Sequence, residues 1–161
     1  MSLTKTPICD FGKQAENFKL KSTDGKFLTL EDLKGKNGTL IMFICNHCPY
    51  VKAIISDVVN YPEDSFENMS IFSKKNKFNF SYLHDETQEV AKKYGAVCTP
   101  DFFGYNGNLE LQYRGRIREL KDLKPIRDGD SDLLLAMTQI SKTGNGPKEQ
   151  IPSMGCNIKW R

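Results

Sequence analysis

Thr39-Leu40-Ile41-Met42-Phe43-Ile44-Cys45-Asn46-His47-Cys48 is the stretch whose reading decides the fold. Its first half is an unbroken apolar run with β-branched members, the pattern of a strand buried on both faces. The run leads directly into Cys45 and Cys48, and Val51, Ala53, Ile54 and Ile55 then predict a helix with Cys45 at its positive end. A C-x-x-C at a strand-to-helix junction is a redox arrangement: the dipole stabilises a thiolate on the first sulfur, and the second closes a short-loop disulfide. His47, between them, carries positive charge when protonated and favours the thiolate further. Two such cysteines are also half of a zinc site, or are buried by chance, but no second C-x-x-C completes a zinc ribbon.

Outward from this core the chain alternates short strands and helices. Residues 16 to 33 read as a hairpin about Asp24-Gly25, with Phe18 and Leu20 alternating before the turn, and a helical turn at Glu31 to Leu33 stops at Gly35. Phe66, Met69 and Phe72 predict a helix within Glu63 to Lys75, and Phe78 to Leu83 alternates like a strand. Asp85 is placed to cap the next helix with Gln88 at the capping-box position, Val90, Ala91 and Tyr94 on its apolar face and Gly95 at its end. Asp101 to Tyr105 and Leu109 to Ile117 flank Asn106-Gly107, a strong hairpin signal. Leu133, Leu134, Met137 and Ile140 line a final helix, capped by Ser131 and closed by Gly144. This order predicts an α/β fold with a central mixed sheet flanked by helices and an N-terminal hairpin.

With 161 residues, 39% hydrophobic and 27% charged, the chain has the size of one soluble domain spanning 1–161. The formal charge of +3 comes from scattered residues and leaves no footprint for nucleic acid or a membrane surface. Met1 to Pro7 is too short and polar for a secretory signal, and Leu40 to Cys45 is far below the roughly 20 residues that cross a bilayer. Five cysteines, an odd number, do not form a secreted disulfide framework; a cytoplasmic protein with reactive thiols is the expectation.

A second element, Val97-Cys98-Thr99-Pro100, puts a proline at a strand start, a place compatible with a cis bond. Gly12-x-x-Ala15-x-x-Phe18-x-Leu20, Asp24-Gly25-Lys26, Leu30 to Lys36, Cys45 to Cys48 and Thr99-Pro100 together resemble the thioredoxin-fold family of peroxiredoxins and thiol-disulfide reductases. Cys-Asn-His-Cys-Pro-Tyr-Val-Lys (45–52), Cys-Thr-Pro-Asp-Phe-Phe (98–103) and Pro-Ser-Met-Gly-Cys-Asn-Ile-Lys-Trp (152–160) resemble more closely its bacterial peroxiredoxin-like, thioredoxin-domain subfamily. The resemblance implies a thioredoxin-like fold, a cis Pro100 facing the C-x-x-C, and chemistry at Cys45 and Cys48.

Three departures bear on function. In the peroxiredoxin pattern Pro-x-x-x-Thr-x-x-Cys, Cys48 at the last place puts Cys45 at the threonine and Ile41 at the proline, so the hydroxyl that orients a peroxide is missing. Phe43-Ile44 abuts Cys45 where thioredoxins carry a Trp-containing loop. A parallel βαβ unit takes about 30 residues, yet only Asp57 to Tyr61 offers a strand after the Cys45 helix; a segment of roughly 20 to 30 residues is therefore expected to be missing between Ser56 and Asp57.

The leading expectation is a cytoplasmic thiol-disulfide oxidoreductase: Cys45 attacks, with a pKa below the free value of about 8.5, Cys48 resolves from a turn inside the helix, and Thr99 with Pro100 shapes the groove. Its partners are a protein or small-molecule disulfide or peroxide and a thiol reductant, and it needs no cofactor and no metal. The alternative is a thiol peroxidase with Cys48 oxidised and Cys45 resolving; a third reading is a non-catalytic redox sensor or zinc-binding interaction domain. Cys98 reads as a buried core cysteine, or, beside the site, as one that forms mixed disulfides; Cys156, in a polar tail, reads as a packed or idle cysteine or as a resolving or regulatory thiol; Cys9 reads as incidental. His84 reads as a strand-end histidine, Tyr113 to Arg118 as a solvated basic edge, and Trp160 as a tail anchor.

Overall fold

The computed structural model describes residues 3–46, 48–54 and 65–160. Its first elements are β1 (Leu3–Lys5), β2 (Lys19–Ser22), β3 (Phe27–Thr29), α1 (Leu30–Leu33), β4 (Gly38–Phe43) and α2 (Pro49–Ile54). Next come α3 (Phe66–Lys75), β5 (Leu83–His84), α4 (Glu89–Tyr94), β6 (Cys98–Thr99), β7 (Asp101–Asn106) and β8 (Leu111–Tyr113). The remainder is β9 (Leu120–Lys121), β10 (Lys124–Pro125), α5 (Asp132–Thr143) and β11 (Met154–Asn157). The expected strand at Asp57 to Tyr61 and the Ser56–Asp57 junction lie outside the described residues.

The N-terminal hairpin forms as its alternation predicts: β2 and β3 pair antiparallel with Leu20 opposite Leu28. A capping box starts α1, the Thr29 hydroxyl accepting from the Asp32 N–H while the Asp32 carboxylate accepts from the Thr29 N–H. The strand buried on both faces is β7, not β4. It runs between β4 and β8, and its residues are buried from end to end. On one face Phe103 and Tyr105 pack with Val90, Ala91 and Tyr94 of α4; on the other Phe102 packs with Leu133, Ala136 and Ile140 of α5. Among the described residues β4 stands at the edge of this ladder and is mostly half-buried, and Leu40 to Ile44 line a cavity of about 560 Å³. All ladders among the described residues are antiparallel.

Several local expectations change. From Phe78 to Leu83 only the last residue is strand. Phe78 stacks on Phe80 at 4.4 Å and meets Phe72 and Tyr82 edge-on, so these alternating aromatics clothe α3 rather than join a ladder. Asp85 does serve α4, but its carboxylate reaches the Val90 and Ala91 N–H groups, and the Gln88 amide goes instead to the Lys159 carbonyl. In α5 the apolar face is Leu133, Ala136, Met137 and Ile140, while Leu134 is exposed, because α5 lies over Gly104 of β7, where an added Cβ would meet the Met137 sulfur. Ser131 and Gly144 cap it as expected. No helix among the described residues is long and apolar enough to cross a membrane.

The supposed polar tail forms a strand whose Gly155 and Cys156 are buried. β11 lies between β1 and β6, with Leu3 and Thr99 opposite Cys156. Gly155 makes this possible: a Cβ there would sit 2.2 Å from the Thr99 oxygen and 3.0 Å from the Pro100 nitrogen.

Candidate active site

Cys48-Pro49 fixes where α2 begins. Proline suits the first helical position, where an N–H has no partner to lose, so the helix starts at Pro49 and Cys48 stands at its cap. The Val51 N–H reaches the Cys48 sulfur, as an N-cap side chain requires. The dipole therefore acts on Cys48, whereas the sequence put Cys45 at the helix end and Cys48 a turn inside.

The Thr99–Pro100 bond is cis. Thr99 meets both sulfurs: its hydroxyl lies 3.1 Å from Cys45 Sγ, and its carbonyl is 3.1 Å from Cys48 Sγ. Cys48 is fully buried, Cys45 only partly. Cys156 Sγ lies 3.1 Å from Cys48 Sγ, so three sulfurs converge on one strand junction. His47 lies outside the described residues.

The hydrogen bonds around Cys48 decide its charge. As a thiol it donates to the Thr99 carbonyl. As a thiolate it accepts from the Cys45 thiol above all, and also from the Cys156 thiol and the N–H groups of Val51 and Cys156. These donors outweigh burial, which holds Cys48 well below the usual thiol range. Burial and the neighbouring Cys48 push Cys156 up to about 11, burial pushes Cys98 up to about 12, and burial pushes Cys9 up to about 11. Cys98, with its sulfur 3.6 Å from the Pro100 oxygen, is a buried core thiol as the sequence indicated.

Residues the sequence did not single out hold this arrangement. Asp101, directly after Pro100, is wholly buried and ion-paired at 2.9 Å with Arg114, which also donates to the Gly95 carbonyl and lies over the Phe103 ring. Arg114 had read as part of a solvated basic edge, yet Tyr113 is buried and Arg116 pairs with Asp132. The signal was an aspartate opening an apolar strand, which demands a cation inside. Asn46, in the middle of the motif, is fully buried and accepts a hydrogen bond from the Tyr82 hydroxyl at 3.0 Å. His84 packs beside Phe66, and Lys92 lies over the Trp160 ring at 5.7 Å.

The sequence pattern of the AhpC/TSA family matches residues 11–120, a span holding both cysteines of the motif, Thr99 and Pro100. The chain belongs to the AhpC/TSA family. It is similar to the chloroplastic peroxiredoxin Q of Triticum aestivum, 30% identical over 108 residues, which are 58% of this chain and 48% of that protein. The chain thus spans about half the length of the curated relative it matches. Among solved structures it is similar to an uncharacterized conserved protein from Geobacillus kaustophilus, with a TM-score of 0.89 and 37% identity over 100% of this chain and 97% of that one. A hypothetical protein from Sinorhizobium meliloti 1021 is similar with a TM-score of 0.85 and 31% identity, covering 99% of each chain. The fold is thioredoxin-like. The matched span ends within β9, so β1, β10, α5 and β11 with Cys156 lie outside it.

Proposed function

We propose that this chain is a cytoplasmic thiol-disulfide oxidoreductase in which Cys45 attacks and Cys48 resolves. The observation that carries the reading is the layering of the two sulfurs: Cys45 is accessible, Cys48 is buried, and both contact Thr99. The Cys45 proton passes along its hydrogen bond to Cys48, leaving a thiolate on the accessible sulfur. That thiolate attacks one sulfur of a substrate disulfide, forms a mixed disulfide and expels the other as a thiolate. Cys48 gives that proton to the expelled thiolate and, as the anion its cap and donors favour, attacks the Cys45 sulfur and releases the second substrate sulfur. The substrate leaves as a dithiol and a Cys45–Cys48 disulfide remains, which an external thiol reductant must reopen. Thr99 and the cis Pro100 form the wall against which the substrate lies, and His47, by its place between the cysteines, adds positive charge when protonated.

The low pKa and helix-cap position of Cys48 favour one other reading, a thiol peroxidase with Cys48 as the oxidised sulfur and Cys45 resolving. Against it stand the full burial of Cys48 and the thiol in place of a threonine hydroxyl at Cys45. Assaying Cys45→Ser and Cys48→Ser separately with hydrogen peroxide and a small disulfide decides between them. Disulfide attack that survives in Cys48→Ser supports the oxidoreductase. Rapid peroxide consumption by Cys45→Ser replaces it with the peroxidase.

A further inference from the structure

Cys48 Sγ is the middle sulfur of three. It accepts a hydrogen bond from Cys45 and lies 3.1 Å from Cys156 Sγ. Neither neighbour is there by accident of a loose chain. Cys45 is fixed at the end of β4 by Thr99, and Cys156 is held in the β1-β11-β6 ladder opposite the same residue. Gly155 lets β11 close on Thr99 to a distance no other residue permits. The three thiols therefore need only small sulfur movements to exchange partners.

From this juxtaposition we propose that Cys156 is a third redox cysteine, which takes the disulfide from Cys45–Cys48 and holds it beneath the surface as Cys48–Cys156. The step rests on the oxidoreductase reading above. The Cys156 thiolate attacks the Cys48 sulfur, the Cys48–Cys45 bond breaks as the Cys48–Cys156 bond forms, and Cys45 leaves as a thiolate. Cys45 takes up the proton that Cys156 gave up. No oxidant or reductant is consumed, since one disulfide replaces another. The direction follows from access: Cys156 lies buried beneath Cys48 while Cys45 is only partly covered, so the bridge moves from the sulfur that external thiols reach to one they do not. The protein then stores an oxidising equivalent inside while its accessible cysteine is free again.

Peptide mapping reads the relay directly. Trypsin leaves Cys45 and Cys48 together in residues 37–52 and Cys156 in residues 149–159. The full chain is treated with a small aliphatic disulfide, or with diamide for Cys45→Ser, quenched with acid and digested without reduction. The relay predicts an internally bridged 37–52 peptide first, then a 37–52/149–159 cross-link at its expense. Cys45→Ser should give the cross-link at once and without dimerisation, and its oxidised form should melt roughly 10 °C higher, because that bridge closes a loop of over a hundred residues. An internal bridge without any cross-link, in the wild type and with none in Cys45→Ser, overturns the relay and leaves the Cys45–Cys48 reading standing. Absence of the internal bridge in Cys156→Ser overturns that reading, and the relay with it.

Discussion

The guanidinium of Arg114 meets the carboxylate of Asp101 at 2.9 Å inside the protein, one residue beyond Pro100. Asp101 also accepts from the Val97 N–H at 3.3 Å, so this pair ties the loop before the cis bond to β8. The Thr99 contacts to Cys45 and Cys48 depend on that anchorage.

Replacing Arg114 with Met should destabilise the protein by about 3–5 kcal/mol, since it leaves a buried carboxylate without its cation. Burial raises the Asp101 pKa and Arg114 opposes it. Without Arg114 the folded pKa rises further above the unfolded value of about 3.9. A carboxyl with a raised folded pKa stabilises the fold most in acid and loses that stability as pH climbs through the folded pKa. Urea unfolding between acid and neutral pH should show the variant's deficit growing with pH; a deficit that is constant or largest in acid would contradict the pairing.

The capping role of Cys48 separates two substitutions. Serine can accept from the Val51 N–H and alanine cannot, so Cys48→Ala should be less stable than Cys48→Ser by about 1 kcal/mol. The depressed folded pKa of Cys48 adds a pH signature, with stability gained above the unfolded thiol value of about 8.5 and lost as pH falls through the folded value. Reduced wild type should therefore gain on Cys48→Ser as pH rises from the acid side toward about 8.5. Equal pH dependence of the two would show that Cys48 stays protonated.

Thr99→Val keeps the shape of the strand and removes the hydroxyl beside Cys45. A hydrogen bond of about 0.5–1.5 kcal/mol corresponds to roughly 2- to 10-fold slower alkylation of Cys45 at neutral pH. Iodoacetamide kinetics with mass-spectrometric site assignment measure it. An unchanged rate would remove Thr99 from the machinery.

Gly155→Ala should push β11 away from Thr99, because its new Cβ would overlap the Thr99 oxygen. The expected loss is about 1–3 kcal/mol, as for overpacking in a core. Protection of β11 amides against hydrogen exchange should fall with it. A variant as stable and as protected as wild type would mean that the strand is not held so closely.

Local chemistry made much of this protein legible in its sequence. An apolar run entering C-x-x-C needs no distant partner to be read, and Asp24-Gly25, Ser131 and Gly144 act on their own neighbours, so the hairpin and the caps of α5 stand where their residues put them. The family's residues likewise pointed to Thr99-Pro100 and to the thioredoxin-like fold. Pro49 was a local signal too, and it sets the helix start a few residues later, moving the dipole from Cys45 to Cys48. Tertiary structure alone decided the rest. Arg114 looked solvated because nothing within reach along the chain could neutralise it; its counter-charge arrives across the β7–β8 ladder. Cys156 looked like part of a tail because its nearest sulfur is 108 residues away in sequence, and only the pairing of β11 with β6 brings the two into contact.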